Sequence, residues 1–256
     1  MTAPPAPTCA LITGGATGIG LELARQWLAR GTRVIVCGRR EAALAAARAE
    51  LPGLVTRVCD VTDDAARADL VAWIGAEHPD LDLLVNNAGA QVHRVIDQPQ
   101  AFAGTAEEIA VNLTAPILLT AALLPLLRRQ PHAWIIMVSS GLAFAPIAHA
   151  PVYCAAKAGL HSFTLSLRHQ LRGTSVQVVE FAPPAVDTAL GNRSDENRAA
   201  SAAHMMSAPD CVTAALARFD AGDEELLVGT SPMLREKGEA LFAMLNPPMA
   251  LPGAAP

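Results

Sequence analysis

The chain of 256 residues contains a single tyrosine, Tyr153, and it stands four positions before a lysine, Lys157, in the stretch VYCAAKAG. Positions i and i+4 of a helix share one face, so the two side chains can enter one cleft. The chemistry such a pair offers is proton transfer. A free phenol titrates near ~10 and holds its proton too firmly at neutral pH, whereas a cation one turn away favours the phenolate. The same pair also arises on solvated helices, where it does nothing, so its surroundings decide. Ser139 and Ser140 precede it, at the end of the apolar run WIIMVS. Either hydroxyl could steady a substrate oxygen, and strand alternation admits only one of the two into a cleft.

A second cluster has the form of a phosphate site. LITGGATGIGLELA places Gly14, Gly18 and Gly20 directly after the first apolar run, in the pattern T-G-x-x-x-G-x-G. Glycine lets the chain turn tightly, so that backbone N–H groups at a helix N-terminus approach a pyrophosphate. The next apolar run ends VIVCGRRE. In a dinucleotide fold the tip of that strand meets the adenosine ribose, where an acidic residue selects NAD. Here Gly38 is followed by Arg39 and Arg40, and a guanidinium fork matches a 2′-phosphate. The cofactor expected is therefore NADP rather than NAD, although Thr17 brings no second basic group to the glycine loop.

The elements that must position these groups alternate in kind. CALIT (9–13), RVIVC (33–37), LVTRVC (54–59), LDLLVN (81–86), WIIMVS (134–139) and SVQVVEF (175–181) read as buried parallel strands. Segments of helical length separate them. The fold class is α/β, a doubly wound parallel sheet of Rossmann type with helices on both faces. A last helix is expected over 209–219 and a last strand over 225–229. The boundaries are a single dinucleotide-binding catalytic domain over 1–250 and a disordered tail over 246–256. Residues 189–208 are small, polar and weakly periodic, which fits a mobile lid whose Met205 and Met206 fold over an apolar substrate.

Composition narrows the partners. Apolar residues make up 52% of the chain, and the net charge of −5 offers no basic footprint for nucleic acid. Five scattered cysteines form no C-x-x-C and fit a reducing compartment. MTAPPAPT has neither the charge nor the apolar core of a signal peptide. LTAPILLTAALLPLL (113–127) is about five residues short of a membrane span. A cytoplasmic protein without a membrane partner is expected. The seven histidines show no H-x-x-x-H spacing or similar pairing with a nearby carboxylate, so no metal is expected. The helices expected over 105–129 and 152–172 are apolar on more than one face, which points to a homodimer or homotetramer.

In order along the chain, TGGATGIG, CDVTD (59–63), NNAG (86–89), Asn112, Ser140 and YCAAK (153–157) resemble the landmarks of the classical short-chain dehydrogenases/reductases. EFAPPAVDT and WIIMVSSGLAFAPI are similar to a bacterial subgroup labelled after D-alanylation of teichoic acid, a neighbourhood name and not a substrate. The resemblance implies an NADP(H)-dependent oxidoreductase that interconverts a carbonyl and an alcohol. It makes Tyr153 the acid/base and Lys157 the cation that lowers its pKa and bonds the nicotinamide ribose. It selects Ser140 to hold the substrate oxygen and gives Asn112 a water that relays protons to Lys157. Cofactor contacts carry over to Gly14, Thr17, Gly18, Ile19 and Gly20, to Arg39, and to Asp60 and Val61 at the adenine. They continue through Asn87, Ala88 and Gly89 to Val186 and Thr188 at the carboxamide. Pro184 departs from the family pattern, which has glycine there; it stiffens the turn and removes an N–H. His149 falls where the family lines its substrate pocket. The rival to an enzyme is an NADP-binding sensor or scaffold, for which Asn112, Ser140, Tyr153 and Lys157 would be superfluous.

Overall fold

The apolar runs pair side by side into one sheet whose strands all point the same way. In the computed structural model, which describes residues 6–190 and 205–247, they are β1 (Cys9–Thr13), β2 (Arg33–Gly38), β3 (Val55–Val58), β4 (Leu83–Asn86), β5 (Ala133–Val138), β6 (Val176–Ala182) and β7 (Glu225–Leu227). Their order is β3-β2-β1-β4-β5-β6-β7, with every pairing parallel. The order reverses between β1 and β4, and a crevice opens beyond the C-terminal ends of strands at such a point. Parallel neighbours need crossovers, so helices cover both faces.

On one face α1 (Gly18–Ala29), α2 (Glu41–Glu50) and α7 (Ala208–Asp220) bury Leu23, Trp27, Leu44 and Phe219 against Ile12, Val36 and Trp134. On the other, α3 (Asp64–Glu77), α5 (Ala115–Leu127) and α6 (Pro151–Gln170) bury Ile74, Leu119, Leu123 and Leu160 against Leu11, Ile35 and Ile135. Alternation along β6 shows the same division: Val176 and Val178 face α5 and α6, while Val179 and Phe181 face α1 and α7.

The helix before β5 differs from its sequence reading. α4 (Thr105–Ile109) runs through a π turn (Ala110–Thr114) into α5 without a break. The continuous run Thr105–Leu127 is 23 residues and, by length and composition, enough to cross a membrane; the segment 113–127 underestimated it because the π turn and α4 extend the helix. Its inner side, Leu119, Leu123 and Leu127, is buried on the sheet, the position of a core helix.

Asp63 caps α3 by accepting from the Ala66 N–H at 2.7 Å, and Ser207 caps α7 by accepting from the Asp210 N–H at 3.1 Å. Of the expected lid, residues 191–204 lie outside the described residues. Its far end returns to the fold: the Asp187 N–H donates to the Met206 carbonyl and the Met206 N–H to the Ala185 carbonyl, both at 3.0 Å. The expected tail begins too early at 246. After α8 (Ser231–Lys237) and α9 (Phe242–Leu245), Asn246 donates from Nδ2 to the Pro146 carbonyl at 3.1 Å and accepts from the Ala148 N–H. Residues 248–256 lie outside the described residues.

Candidate active site

Two loops meet where the strand order reverses. Thr13 ends β1, and its Oγ1 accepts from the N–H groups of Asn87 and Ala88, both at 3.0 Å. Asn87 Nδ2 donates to the carbonyls of Thr13 at 2.9 Å and Gly14 at 3.3 Å. These bonds hold the two loops so close that side chains do not fit. A Cβ on Gly20 would lie 2.5 Å from both Asn87 Nδ2 and the Gly14 oxygen. Gly14 combines a close approach with left-handed backbone: φ is +64, and a Cβ there would lie 2.9 Å from Ala88 Cα. Thr17 is the N-cap of α1 but makes no capping bond, and the first turn holds no acidic side chain. The leading N–H groups therefore have no side-chain acceptor, which fits an anion such as a pyrophosphate. Ile19 is half-buried against the α1 core. Thr188 reaches over the turn: a Cβ on Gly18 would be 3.1 Å from its Cγ2.

At the tip of β2, Arg39 is largely exposed and its Nη1 lies 3.7 Å from Asp60 Oδ2. Burial opposes the Asp60 charge, but bonds from the Thr62 N–H and hydroxyl, together with Arg39, outweigh it and hold the carboxyl below its ordinary range. Val61 turns into the core, and its carbonyl accepts from Arg67 at 2.8 Å. Val186 pairs with Met206 in a short parallel bridge. Pro184 has a packing reason for standing where it does: it covers Gly229, whose Cβ would lie 2.9 Å from its Cγ.

The acid/base candidates gather on the other side of the crevice. Tyr153 and Lys157 are buried on one face of α6, with Lys157 Nζ 5.7 Å from the tyrosine ring centroid. Nζ donates to the Val138 carbonyl at 2.8 Å. Burial pushes the Tyr153 phenol up to about 12, and a hydrogen bond with Ser140 works against that rise. Burial pushes the Lys157 ammonium down to about 8, opposed by the charge of Glu180. The two serines part as alternation requires. The Ser139 hydroxyl lies 3.5 Å from the Phe181 carbonyl, whereas Ser140 meets Tyr153 and accepts from the Leu142 N–H at 3.1 Å. Asn112 is fully buried and lies in the π turn rather than in regular helix. It donates from Nδ2 to the carbonyls of Ala90 at 2.7 Å and Glu108 at 2.9 Å. Gly89 fills the space between Asn112 and Lys157: a Cβ there would be 2.8 Å from Asn112 Oδ1 and 3.7 Å from Nζ. Asn112, Gly89, Lys157, Tyr153 and Ser140 thus form one connected group.

Sequence reasoning missed two side-chain pairs beside this group. Arg94 and Glu108 form a fully buried ion pair. Glu108 accepts from the Val92 N–H at 3.0 Å, and the Arg94 N–H donates to the His149 carbonyl at 2.8 Å. Together they pin the loop after β4 to α4 and to the start of α6; no local pattern pointed to them. The second pair is His161 and Glu180, with Nδ1 2.7 Å from Oε2. A histidine does therefore meet a carboxylate, one far from it in sequence. Glu180 was legible, because it continues the inward-facing series Val176, Val178 of β6. His149 is exposed, and its ring stands edge-on to His93 at 4.7 Å.

Residues 8–199 match the family described as short chain dehydrogenase. A Bacillus subtilis protein named uncharacterized oxidoreductase DltE is 52% identical over 194 residues, covering 73% of this chain and 75% of that one. A Salmonella typhi protein named NADP-dependent 3-hydroxy acid dehydrogenase YdfG is 34% identical over 177 residues, 69% of this chain and 71% of that one. Among solved structures, a short-chain dehydrogenase from Sphingobium yanoikuyae in complex with NADPH superposes with a TM-score of 0.76 at 27% identity, covering 85% of this chain and 86% of that one.

Proposed function

The chain belongs to the short-chain dehydrogenase family of oxidoreductases, and from that premise we propose that it is an NADP(H)-dependent enzyme interconverting a carbonyl and an alcohol on a small molecule. One observation carries the reading: the only phenol of the chain is buried beside a buried ammonium and a serine hydroxyl at the C-terminal edge of the sheet.

When bound, the nicotinamide supplies or takes the hydride. The chain's own groups handle the proton. With its pKa near 12, Tyr153 Oη is protonated at neutral pH and is ready to donate as a carbonyl is reduced; in oxidation it takes the proton back. Ser140 Oγ donates to the substrate oxygen and stabilises charge that develops there. The Lys157 ammonium favours the phenolate each time the proton leaves. Asn112 holds the water that returns protons to Lys157.

Gly14, Thr17, Gly18, Ile19 and Gly20 would hold the pyrophosphate and Arg39 the 2′-phosphate. Asp60 and Val61 would meet the adenine. Asn87, Ala88, Gly89, Val186 and Thr188 would contact the nicotinamide end. The preference for NADP rests on Arg39 and is supported by the NADP-dependent relative from Salmonella typhi and the NADPH complex of the Sphingobium yanoikuyae structure. The protein works in the cytoplasm as a homodimer or homotetramer, an arrangement that would cover Ile109, Leu118 and Leu165, exposed along the long helices.

The test is a titration with NADPH and NADH, followed by NADPH oxidation across a broad panel of aldehydes and ketones. Tighter NADPH binding and oxidation with some members are expected. Binding with no oxidation across the panel would contradict an enzyme and favour a sensor.

A further inference from the structure

Among the described residues, Glu180 is the carboxylate whose burial is least balanced. It is fully buried, Oε2 meets His161 Nδ1 at 2.7 Å, and Oε1 meets no hydrogen-bond partner. A buried carboxylate in that state is strongly unfavourable unless a further charge compensates it. Its position indicates which charge that is. Tyr153, Lys157 and His161 follow one another at four-residue steps on α6, and His161 touches Glu180. In the β5–β6 register Glu180 stands beside Met137, the neighbour of Val138, whose carbonyl accepts from Lys157.

We propose that Glu180, held in place by His161, is a positioning residue for proton transfer: its carboxylate keeps Lys157 in the ammonium form beneath Tyr153. The proposal rests on the reading of Tyr153 as acid/base and Lys157 as its cation. The other groups around Lys157 do not supply this charge. From α6 come Tyr153, Cys154 and His161, none of them an anion at neutral pH. From α4 comes Glu108, which Arg94 already neutralises. From β7 comes Glu225, which the Arg235 guanidinium of α8 holds through two nitrogens at 3.3 Å. The π turn and the end of β5 bring only an amide, hydroxyls and carbonyls, and the loop after β4 adds a cation, Arg94, which Glu108 engages. Ligand atoms of His161, Glu180 and Glu225 lie within 4.8 Å of one another, but the Arg235 fork and the His161 contact already engage the two carboxylates. The structure therefore favours a charge network over a cation site. The Lys157 ammonium, pushed down to about 8 by burial, is raised against that burial by Glu180.

The sequence makes a direct test practical. Its lysines are Lys157 and Lys237 alone, the latter exposed. Full-length protein grown on lysine labelled with carbon-13 at Cε gives two resonances, which Lys237→Arg tells apart. Each is followed against pH, without cofactor or substrate. In Glu180→Gln, which keeps an acceptor for His161, the Lys157 midpoint should fall by about one pH unit or more. In Glu180→Asp, which keeps the charge, most of that fall should be recovered. If the Gln variant does not fold, Glu180→Met is read in its place. An unchanged or raised midpoint in a folded neutral variant overturns the proposal. Turnover is not involved, so failure of the oxidoreductase reading would appear separately, as NADPH that is bound but never oxidised.

Discussion

The two sides of the crevice are built on opposite principles. On the side of β1, α1 and the loop after β4, position is set by backbone. Gly14 and Gly20 let two loops touch, and Thr13 and Asn87 sew them together with hydrogen bonds. On the side of α4, α6 and β6, position is set by side chains that burial disfavours. Lys157 keeps its charge with a single carbonyl acceptor, Glu180 has an oxygen without a partner, and Tyr153 is packed where its phenolate would be poorly solvated. The first side should tolerate a change of charge and fail on added volume. The second should tolerate a change of shape and fail on altered charge or proton content.

The largest expected effect breaks the second side without touching the first. Tyr153→Phe removes one oxygen and leaves the ring to pack, so the fold and NADP affinity survive. Turnover falls by at least ~10²–10⁴-fold, the usual contribution of a positioned acid/base. Equal rates for the two proteins in NADPH oxidation would end the comparison. Next comes a break on the first side. In Gly20→Ala the added carbon meets the Gly14 oxygen and Asn87 Nδ2, a clash worth about 1–3 kcal/mol of stability. Urea denaturation should show that loss with little dependence on pH; a neutral effect would mean the loops are free to separate.

Arg39→Asp sharpens the contrast, because it changes charge on the shape-determined side. Arg39 is exposed and meets Asp60 only at 3.7 Å, so stability stays within about 0.5 kcal/mol. The preference for NADPH over NADH should narrow by roughly tenfold, as one charge-assisted contact is lost. Calorimetric titration with both cofactors checks it, and an unchanged ratio would remove Arg39 from the 2′-phosphate.

The effect smallest at neutral pH has an unusual pH dependence. The folded-state pKa of Lys157 lies near 8 against an ordinary 10.5, so the folded protein binds this proton less tightly than the unfolded chain. The resulting destabilisation is full below about 8 and fades as pH rises from there towards 10.5. In Lys157→Met this proton linkage is absent, so the stability of the cofactor-free variant relative to the natural protein should fall by about 2–3 kcal/mol as pH rises through that window. At neutral pH the relieved burial of the ammonium is offset by the Val138 carbonyl that loses its donor and by Glu180, which loses its compensating charge. Urea denaturation of both proteins across the window checks it, and a stability difference that does not change with pH would contradict the account.

The sequence was most legible where chemistry and local pattern coincide. Glycines after an apolar run, a Tyr/Lys pair one turn apart and alternation at Ser139 and Ser140 were sufficient to locate both sides of the crevice. Strand ends moved by one or two residues, because only pairing with a neighbour decides where a strand stops. Asn112 was identified as a residue but not in its setting: an extra residue in the π turn aims its amide at Ala90, and no composition rule marks such a turn. Arg94 and Glu108 were invisible for a different reason. Their meaning lies wholly in a contact between a loop and a helix, and each alone resembles a solvated charge. Glu180 stood in plain view, a carboxylate in an apolar strand, but its partner His161 is supplied by tertiary structure.

The central claim is that Tyr153 changes from a held proton to an exchangeable one when the cofactor's charge joins that of Lys157. Because the chain has one tyrosine, protein labelled with carbon-13 at tyrosine Cζ gives a single resonance that reports it alone. Without cofactor that signal should remain protonated up to about pH 10, where a free phenol is half ionised. With saturating NADP⁺ its midpoint should drop by at least about one unit. A midpoint that NADP⁺ leaves unchanged or raises, in protein that binds it, would contradict Tyr153 as the acid/base.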